Sequence, residues 1–199
     1  VMPVNNPPEL TINHVKPSMD EDSFFIIKEV TIADVDAEET SGGVVEVQIL
    51  SSNGLINLSS LAGLFVASKS SSGTTNEITI QGSVAALNKA FISGTVSYKP
   101  DKNWFGTATI TIKVNDLGNS GEGGSMSVSK MMQIEVVSIN DAPVIHLSEK
   151  FLSTEEDTDL PFGSYVSITD ADFLSASISK DAKLTVSITA KYGGVMMAT

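Results

Sequence analysis

Cysteine and arginine are both absent from this chain of 199 residues. Without cysteine there are no disulfide staples and no thiolate chemistry, so stability has to come from a packed core or from bound ions. Every one of the twelve basic residues is a lysine, and against 24 acids they leave a net charge of -12. Such a balance repels a phosphate backbone and an anionic bilayer surface, which argues against nucleic acid as a partner and against membrane contact by this stretch. No apolar run approaches the ~18 to 20 residues that cross a bilayer. The opening Val1-Met2-Pro3-Val4-Asn5 does not resemble a signal peptide, so any export signal or anchor is expected outside this stretch.

What is present is a hydrophobic fraction of 41%, enough for one or two globular domains with a core. The excess of carboxylates suits recruitment of hard divalent cations, whose oxygen ligands offset the self-repulsion of clustered acids. A merely acidic soluble surface is the other reading. Short runs rich in Val, Ile and Thr dominate: 44–50, 76–80, 107–114 and 133–137 alternate or are continuously apolar, as strands do. Turn signals separate them at Asn53-Gly54, Ser68 to Thr75, Asn103 to Gly106, Leu117 to Gly124 and Gly193-Gly194, a spacing suited to a sandwich of two antiparallel sheets. One short helix is expected after Ser83, a good N-cap, with Val84, Leu87 and Phe91 on one face.

An internal repeat organises the chain. Asn5-Asn6-Pro7-Pro8-Glu9-Leu10 aligns with Asn140-Asp141-Ala142-Pro143-Val144-Ile145 at an offset of 135, and Asp20-Glu21-Asp22-Ser23 falls on Glu155-Glu156-Asp157-Thr158 at the same offset. One inserted residue later, Val30-Thr31-Ile32-Ala33-Asp34-Val35-Asp36 matches Val166-Ser167-Ile168-Thr169-Asp170-Ala171-Asp172; Val45, Val47, Ile49 and Gly54 then match Leu184, Val186, Ile188 and Gly193. The expected organisation is a first repeat over 1–139 and the N-terminal part of a second, truncated repeat over 140–199. Thr199 falls where the second repeat should enter its middle strands, so more chain is expected to follow.

Acids near a junction between repeats converge even when distant in sequence, because the linker joins the base of one sandwich to the top of the next. Asp34 and Asp36, spaced i, i+2 at a strand end, can both face one ion, and Asp170 and Asp172 repeat the arrangement. Calcium needs 6 to 8 oxygens at about 2.3 to 2.6 Å, which Asp-x-Asp, Asn-Asp and Glu supply without rigid geometry; magnesium, with its strict octahedron, fits less well. The same acids also suit turns and strand ends with no metal at all.

Ser138-Ile139-Asn140-Asp141-Ala142-Pro143-Val144, Glu156-Asp157-Thr158 and Asp170-Ala171-Asp172 resemble the linker, base glutamate and Asp-x-Asp of cadherin-like repeats. Ser83-Val84-Ala85-Ala86-Leu87-Asn88, Val96-Ser97-Tyr98-Lys99-Pro100, Asn103-Trp104-Phe105-Gly106-Thr107 and Val114-Asn115-Asp116-Leu117-Gly118 resemble the cadherin-like tandem repeats of giant surface adhesins. The motifs cover most of the chain and leave 59–75 unmatched. The resemblance implies an all-β chain of tandem cadherin-like, immunoglobulin-like Greek-key β-sandwiches and an extracellular, cell-surface setting. It also implies Ca2+ at each junction, stiffening a rod or filament that works in adhesion rather than catalysis. Carried over, the complete junction would use Glu21, Asn140, Asp141, Asp170 and Asp172, with Asp101 as a weaker candidate; the front half-junction would use Asn6, Asp34, Asp36 and Asp116. Ser138 and Ala142 stand where cadherin linkers carry an acid and an Asn, and Asn5-Asn6 contains no Asp, so one or two ions per junction are expected rather than three. The partners implied are neighbouring repeats of the same chain, with other surface proteins or glycans beyond them.

The remaining features point to other chemistry only weakly. His14 and His146 stand singly in first strands, with no second His and no nucleophile beside them. Trp104 and Phe105 suit a plug at the sandwich end, with Trp104 and Tyr98 the one nucleus for an alternative carbohydrate-binding, lectin-like or accessory role. The Gly118 to Gly124 stretch lacks the Lys and following helix of a phosphate loop and reads as a long hairpin turn. Asn57-Leu58-Ser59 fits the N-glycosylation pattern.

Overall fold

The computed structural model describes residues 3–13, 16–72, 75–174 and 183–195; His14 and Thr199 lie outside them. The chain divides into two compact units, Val1–Ile139 and Asn140–Thr199. Both are mostly β.

Unit 1 runs β1 (Glu9–Ile12), β2 (Ser18–Asp20), β3 (Phe25–Ile26), β4 (Val30–Ala33), α1 (Val35–Glu39), β5 (Val45–Ser52), β6 (Gly54–Leu58), β7 (Leu64–Ser72), β8 (Thr75–Gly82), α2 (Val84–Ile92), β9 (Val96–Pro100), β10 (Gly106–Asn115) and β11 (Ser127–Val137). Alternation decides which face turns inward. Val45, Val47 and Ile49 of β5, Ile110, Ile112 and Val114 of β10, and Ile134 and Val136 of β11 are buried, while the residues between them reach solvent. These strands form a six-stranded sheet in the order β2-β11-β10-β5-β8-β7, antiparallel throughout except that β2 runs parallel to β11. A three-stranded sheet, β3-β9-β6, contributes Ile56, Val96 and Tyr98 to the same core, and β1 pairs with β4. Tyr98 is fully buried yet donates its hydroxyl to the carbonyls of Ser52 and Asn53, at 3.1 and 2.8 Å.

The helix expected after Ser83 is α2: the Ser83 hydroxyl accepts from Ala86 N–H, and Val84, Leu87, Ala90 and Phe91 face the core. Its Asn88 pairs with β4 as a strand would, accepting from Ile32 N–H and donating to Ile32 C=O, each at 2.8 Å.

Two expectations need correction. Unit 1 holds two α-helices rather than one, because Asp34 caps a single turn after β4. Of the turn expected over Ser68 to Thr75, Ser68 to Ser72 form the second half of β7, with Ser71 and Ser72 paired to Asn76 and Thr75 of β8, while Gly73 and Thr74 lie outside the described residues. Main-chain hydrogen bonding to β8 holds that stretch extended without apolar side chains.

Unit 2 contains β12 (Val144–Leu147) and β13 (Val166–Thr169), an antiparallel pair, with 3-10 turns at Phe162–Tyr165 and Asp172–Leu174. The pairing reproduces that of unit 1 residue for residue. Leu10↔Ile32 and Ile12↔Val30 in β1–β4 correspond to Ile145↔Ile168 and Leu147↔Val166 in β12–β13.

Candidate cation site at the entrance of unit 1

Immediately after β4, Asp34 is extended and its Oδ1 accepts from Ala37 N–H at 2.7 Å, which starts α1. That single turn carries Asp36 back toward the chain entering the unit. Asp36 Oδ2 accepts from the main-chain N–H of Asn6 at 2.7 Å and from its amide at 3.3 Å, and Oδ1 accepts from the Ser120 hydroxyl at 3.2 Å. Asp116, the first residue past β10, closes the following loop: its Oδ1 accepts from Gly118 and Met126 N–H at 2.9 and 2.7 Å. Its Oδ2 accepts from the Asn5 amide at 2.7 Å, and the same amide nitrogen donates to Gly124 C=O at 2.9 Å.

The loop over 117–126 straps the entering chain. Asn5 N–H donates to Glu122 C=O and Glu122 N–H to Pro3 C=O, each at 3.0 Å. At Gly121, with φ +88, a Cβ would fall 2.6 Å from Asn5 N and from Val4 C, so the strap requires glycine. Asn119 anchors the loop by pairing with both main-chain groups of Val44.

Three carboxylates are thereby buried together: Asp34 is 3% exposed, Asp36 6% and Asp116 0%, beside Asn5 at 2%. Two of their oxygens are orphans, since Asp34 Oδ2 and Asn5 Oδ1 are buried with no hydrogen-bond partner. An unpaired buried acceptor costs about 1–3 kcal/mol. Burial raises the Asp34 pKa, outweighing the hydrogen bond from Ala37, and the negative charges of Asp116 and Asp36 raise it further. Asp36 moves the other way, lowered chiefly by the Asn6 N–H.

The donor set is all oxygen, which selects a hard cation. Among the described residues no three His, Cys, Asp or Glu side chains stand close enough to form a metal centre by themselves. A cation here would meet the two unpaired oxygens, Asp34 Oδ2 and Asn5 Oδ1, with Asp36 and Asp116 acting on Asp34 through their charge. Asn5 was not among the residues singled out from sequence, although the offset of 135 that places Asn140 in the linker points equally to Asn5.

Unit 2 repeats the clamps. Asp170 Oδ1 accepts from Asp172 and Phe173 N–H at 3.0 and 3.2 Å, as Asp34 accepts from Ala37, and Asp172 Oδ2 accepts from Asp141 N–H, as Asp36 accepts from Asn6. Asn140 is exposed and donates its amide to Asp141 C=O.

Glu21 and Asp101 lie at the exit end of unit 1. β11 has eleven residues and spans about 33 Å, with the strap loop at its start and Glu21 at its finish. Glu21, 7% exposed, accepts from Ile139 N–H at 2.7 Å, holding the departing chain as Asp36 holds the arriving one. Asp101 is exposed and bonds through its main chain to Asn53 and Trp104. Nearby, Asp22 accepts from Asn103 N–H.

His146 meets the Thr169 hydroxyl at 2.9 Å, across the β12–β13 pair. Trp104 is half-buried against the core, and Tyr98 has no exposed ring face, so the two do not form a platform for a sugar. No protein-family model and no curated protein matches the sequence.

Proposed function

We propose that the chain is a non-enzymatic, calcium-binding structural module of an extracellular tandem-repeat protein. In this reading it is built of cadherin-like Greek-key β-sandwiches, and calcium at the repeat entrances stiffens a rod used in adhesion or in a surface filament. The observation that carries the reading is the pair of orphan buried oxygens, Asp34 Oδ2 and Asn5 Oδ1, within a group of three buried carboxylates. Acceptors without donors, in a field made negative by Asp36 and Asp116, are relieved by a cation, which keeps Asp34 ionised where protonation would neutralise it.

The residues around that site also explain how an ion would stiffen the molecule. Asn5 and Asn6 belong to the chain entering the unit and are already bonded to Asp116 and Asp36. An ion on the same carboxylates ties that chain to β4 and to the end of β10. The matching clamps of Asp141, Asp170 and Asp172 extend the reading to unit 2. Neighbouring repeats of the same chain are the first partners, with other surface proteins or glycans beyond them.

Thermal unfolding in calcium, in magnesium and in chelator tests the reading. A ligand at 100 times its Kd stabilises by about 2.7 kcal/mol. For a unit of 139 residues that raises the melting temperature by about 9 °C, with magnesium giving less. No shift in several millimolar calcium would sink the proposal.

A further inference from the structure

Asn57 lies in β6, an edge strand of the three-stranded sheet, and pairs with Ser97 of β9. Ile56 beside it is fully buried, so alternation turns Asn57 to the outer face together with Leu55. Of the eleven asparagines in the chain it alone is followed two positions later by Ser or Thr, in Asn57-Leu58-Ser59. An amide in that pattern is the acceptor of N-linked sugar in exported chains.

The fold leaves this amide to be used. Asn5, Asn76, Asn88 and Asn119 each hold main-chain groups or a carboxylate with their side chains, so a sugar on any of them would break the unit. Asn57 is half-buried and makes no side-chain hydrogen bond among the described residues. Ser59 is exposed and held by its main chain, whose N–H donates to Thr95 C=O at 3.0 Å; its hydroxyl reaches the same carbonyl only at 3.4 Å.

The face around the amide is apolar. Ile26 and Asn57 both pair with Ser97, in one row across the sheet. In the next row Leu55 pairs with Lys99, whose Nζ lies 5.2 Å from the centre of the Phe24 ring. Phe24, Ile26 and Leu55 are 60%, 44% and 47% exposed, a strip that a bulky polar group rooted at Asn57 would shield from other chains.

We infer that Asn57 is a glycosylation site whose N-linked oligosaccharide stands over the outer face of the three-stranded sheet. In the transfer a bond forms between Asn57 Nδ2 and the anomeric carbon of the sugar, the bond from that carbon to a lipid diphosphate breaks, and the amide gives up one proton. The donor is a lipid-linked oligosaccharide met during export, and the lipid diphosphate is the leaving group. The inference rests on the extracellular setting proposed above and not on the ion.

The test sends the chain into the secretory pathway of a eukaryotic cell behind a cleavable signal sequence. Intact mass is measured before and after an amidase that removes N-linked sugar. Transfer precedes release, so retained and released chain are both read. The expected result is the mass of one oligosaccharide, lost on amidase treatment with Asn57 converted to aspartate. Asn57→Gln and Ser59→Ala each abolish that mass, and Ser59→Thr keeps it. Carbene labelling of Leu55 and Ile26 is lost while the sugar is present and returns on its removal. An unmodified parent chain, sugar that persists in Asn57→Gln, or equal labelling with and without the sugar would overturn the inference. The calcium shift in melting is measured on the same protein, so an unmodified chain that still responds to calcium overturns the glycosylation alone.

Discussion

Replacing Asp34 by Asn keeps the cap on α1 and removes the charge. Asn Oδ1 still accepts from Ala37 N–H, and the side-chain amide puts a donor where an orphan acceptor stood. In the metal-free protein this relieves both the unpaired buried oxygen and the repulsion from Asp36 and Asp116. The gain is about 1–2 kcal/mol. Unfolding entropy near 2.1 cal/mol/K per residue gives roughly 0.3 kcal/mol/K for the 139 residues of unit 1, so Asp34→Asn is expected to melt about 3–7 °C higher in chelator. In calcium the order reverses, because the variant has given up a charged ligand and forgoes most of the ~2.7 kcal/mol that saturating ion provides. Calorimetry of both proteins in chelator and in calcium measures all four transitions. A variant that melts below the parent in chelator, or gains as much from calcium, would refute the reasoning.

Gly121→Ala forces a side chain into the backbone of Val4 and Asn5 at positive φ and breaks the two strap hydrogen bonds; a loss of about 2–4 kcal/mol in urea denaturation, with fast exchange at the Asn5 amide, is expected. Tyr98→Phe removes the buried hydroxyl donor shared by the carbonyls of Ser52 and Asn53, of which Asn53 keeps the Asp101 N–H, and should cost about 1–3 kcal/mol by the same measurement; a change under ~0.5 kcal/mol would mean that water takes over the role. The two entrance carboxylates respond to pH in opposite senses. Asp36, lowered below its ordinary 3.8, contributes stability that is complete above 3.8 and is lost as pH falls through its folded value. Asp34, raised above 3.8, favours folding when protonated, so that contribution is lost as pH rises through its folded value. Carboxyl carbon shifts followed by NMR in chelator resolve the two titrations, and Asp34 titrating below Asp36 would contradict the structure.

Much of this architecture is written in local patterns. β5, β8, β10 and β11 announce themselves by alternation, and α2 by Ser83 followed by Val84, Leu87 and Phe91, because in each case one face is buried and periodicity records it. β7 escapes because its serines carry no such record; it is an edge strand whose extension is imposed by β8, a long-range cause. α1 escapes because five residues are too few to show a helical period, although Asp34 as a cap was visible. The acids at the entrance were legible as a set through the repeat register. The strap over 117–126 was not, because it depends on Gly121 meeting the backbone of residues far away in sequence.

The account rests on a cation satisfying the two orphan oxygens at the entrance of unit 1. A crystal structure of this chain grown in millimolar calcium, with anomalous scattering to identify the ion, tests that directly. The predicted result is calcium at about 2.3 to 2.6 Å from Asp34 Oδ2 and Asn5 Oδ1. The contradicting result is no ion there, with Asp34 protonated and the two oxygens sharing its proton or a water molecule.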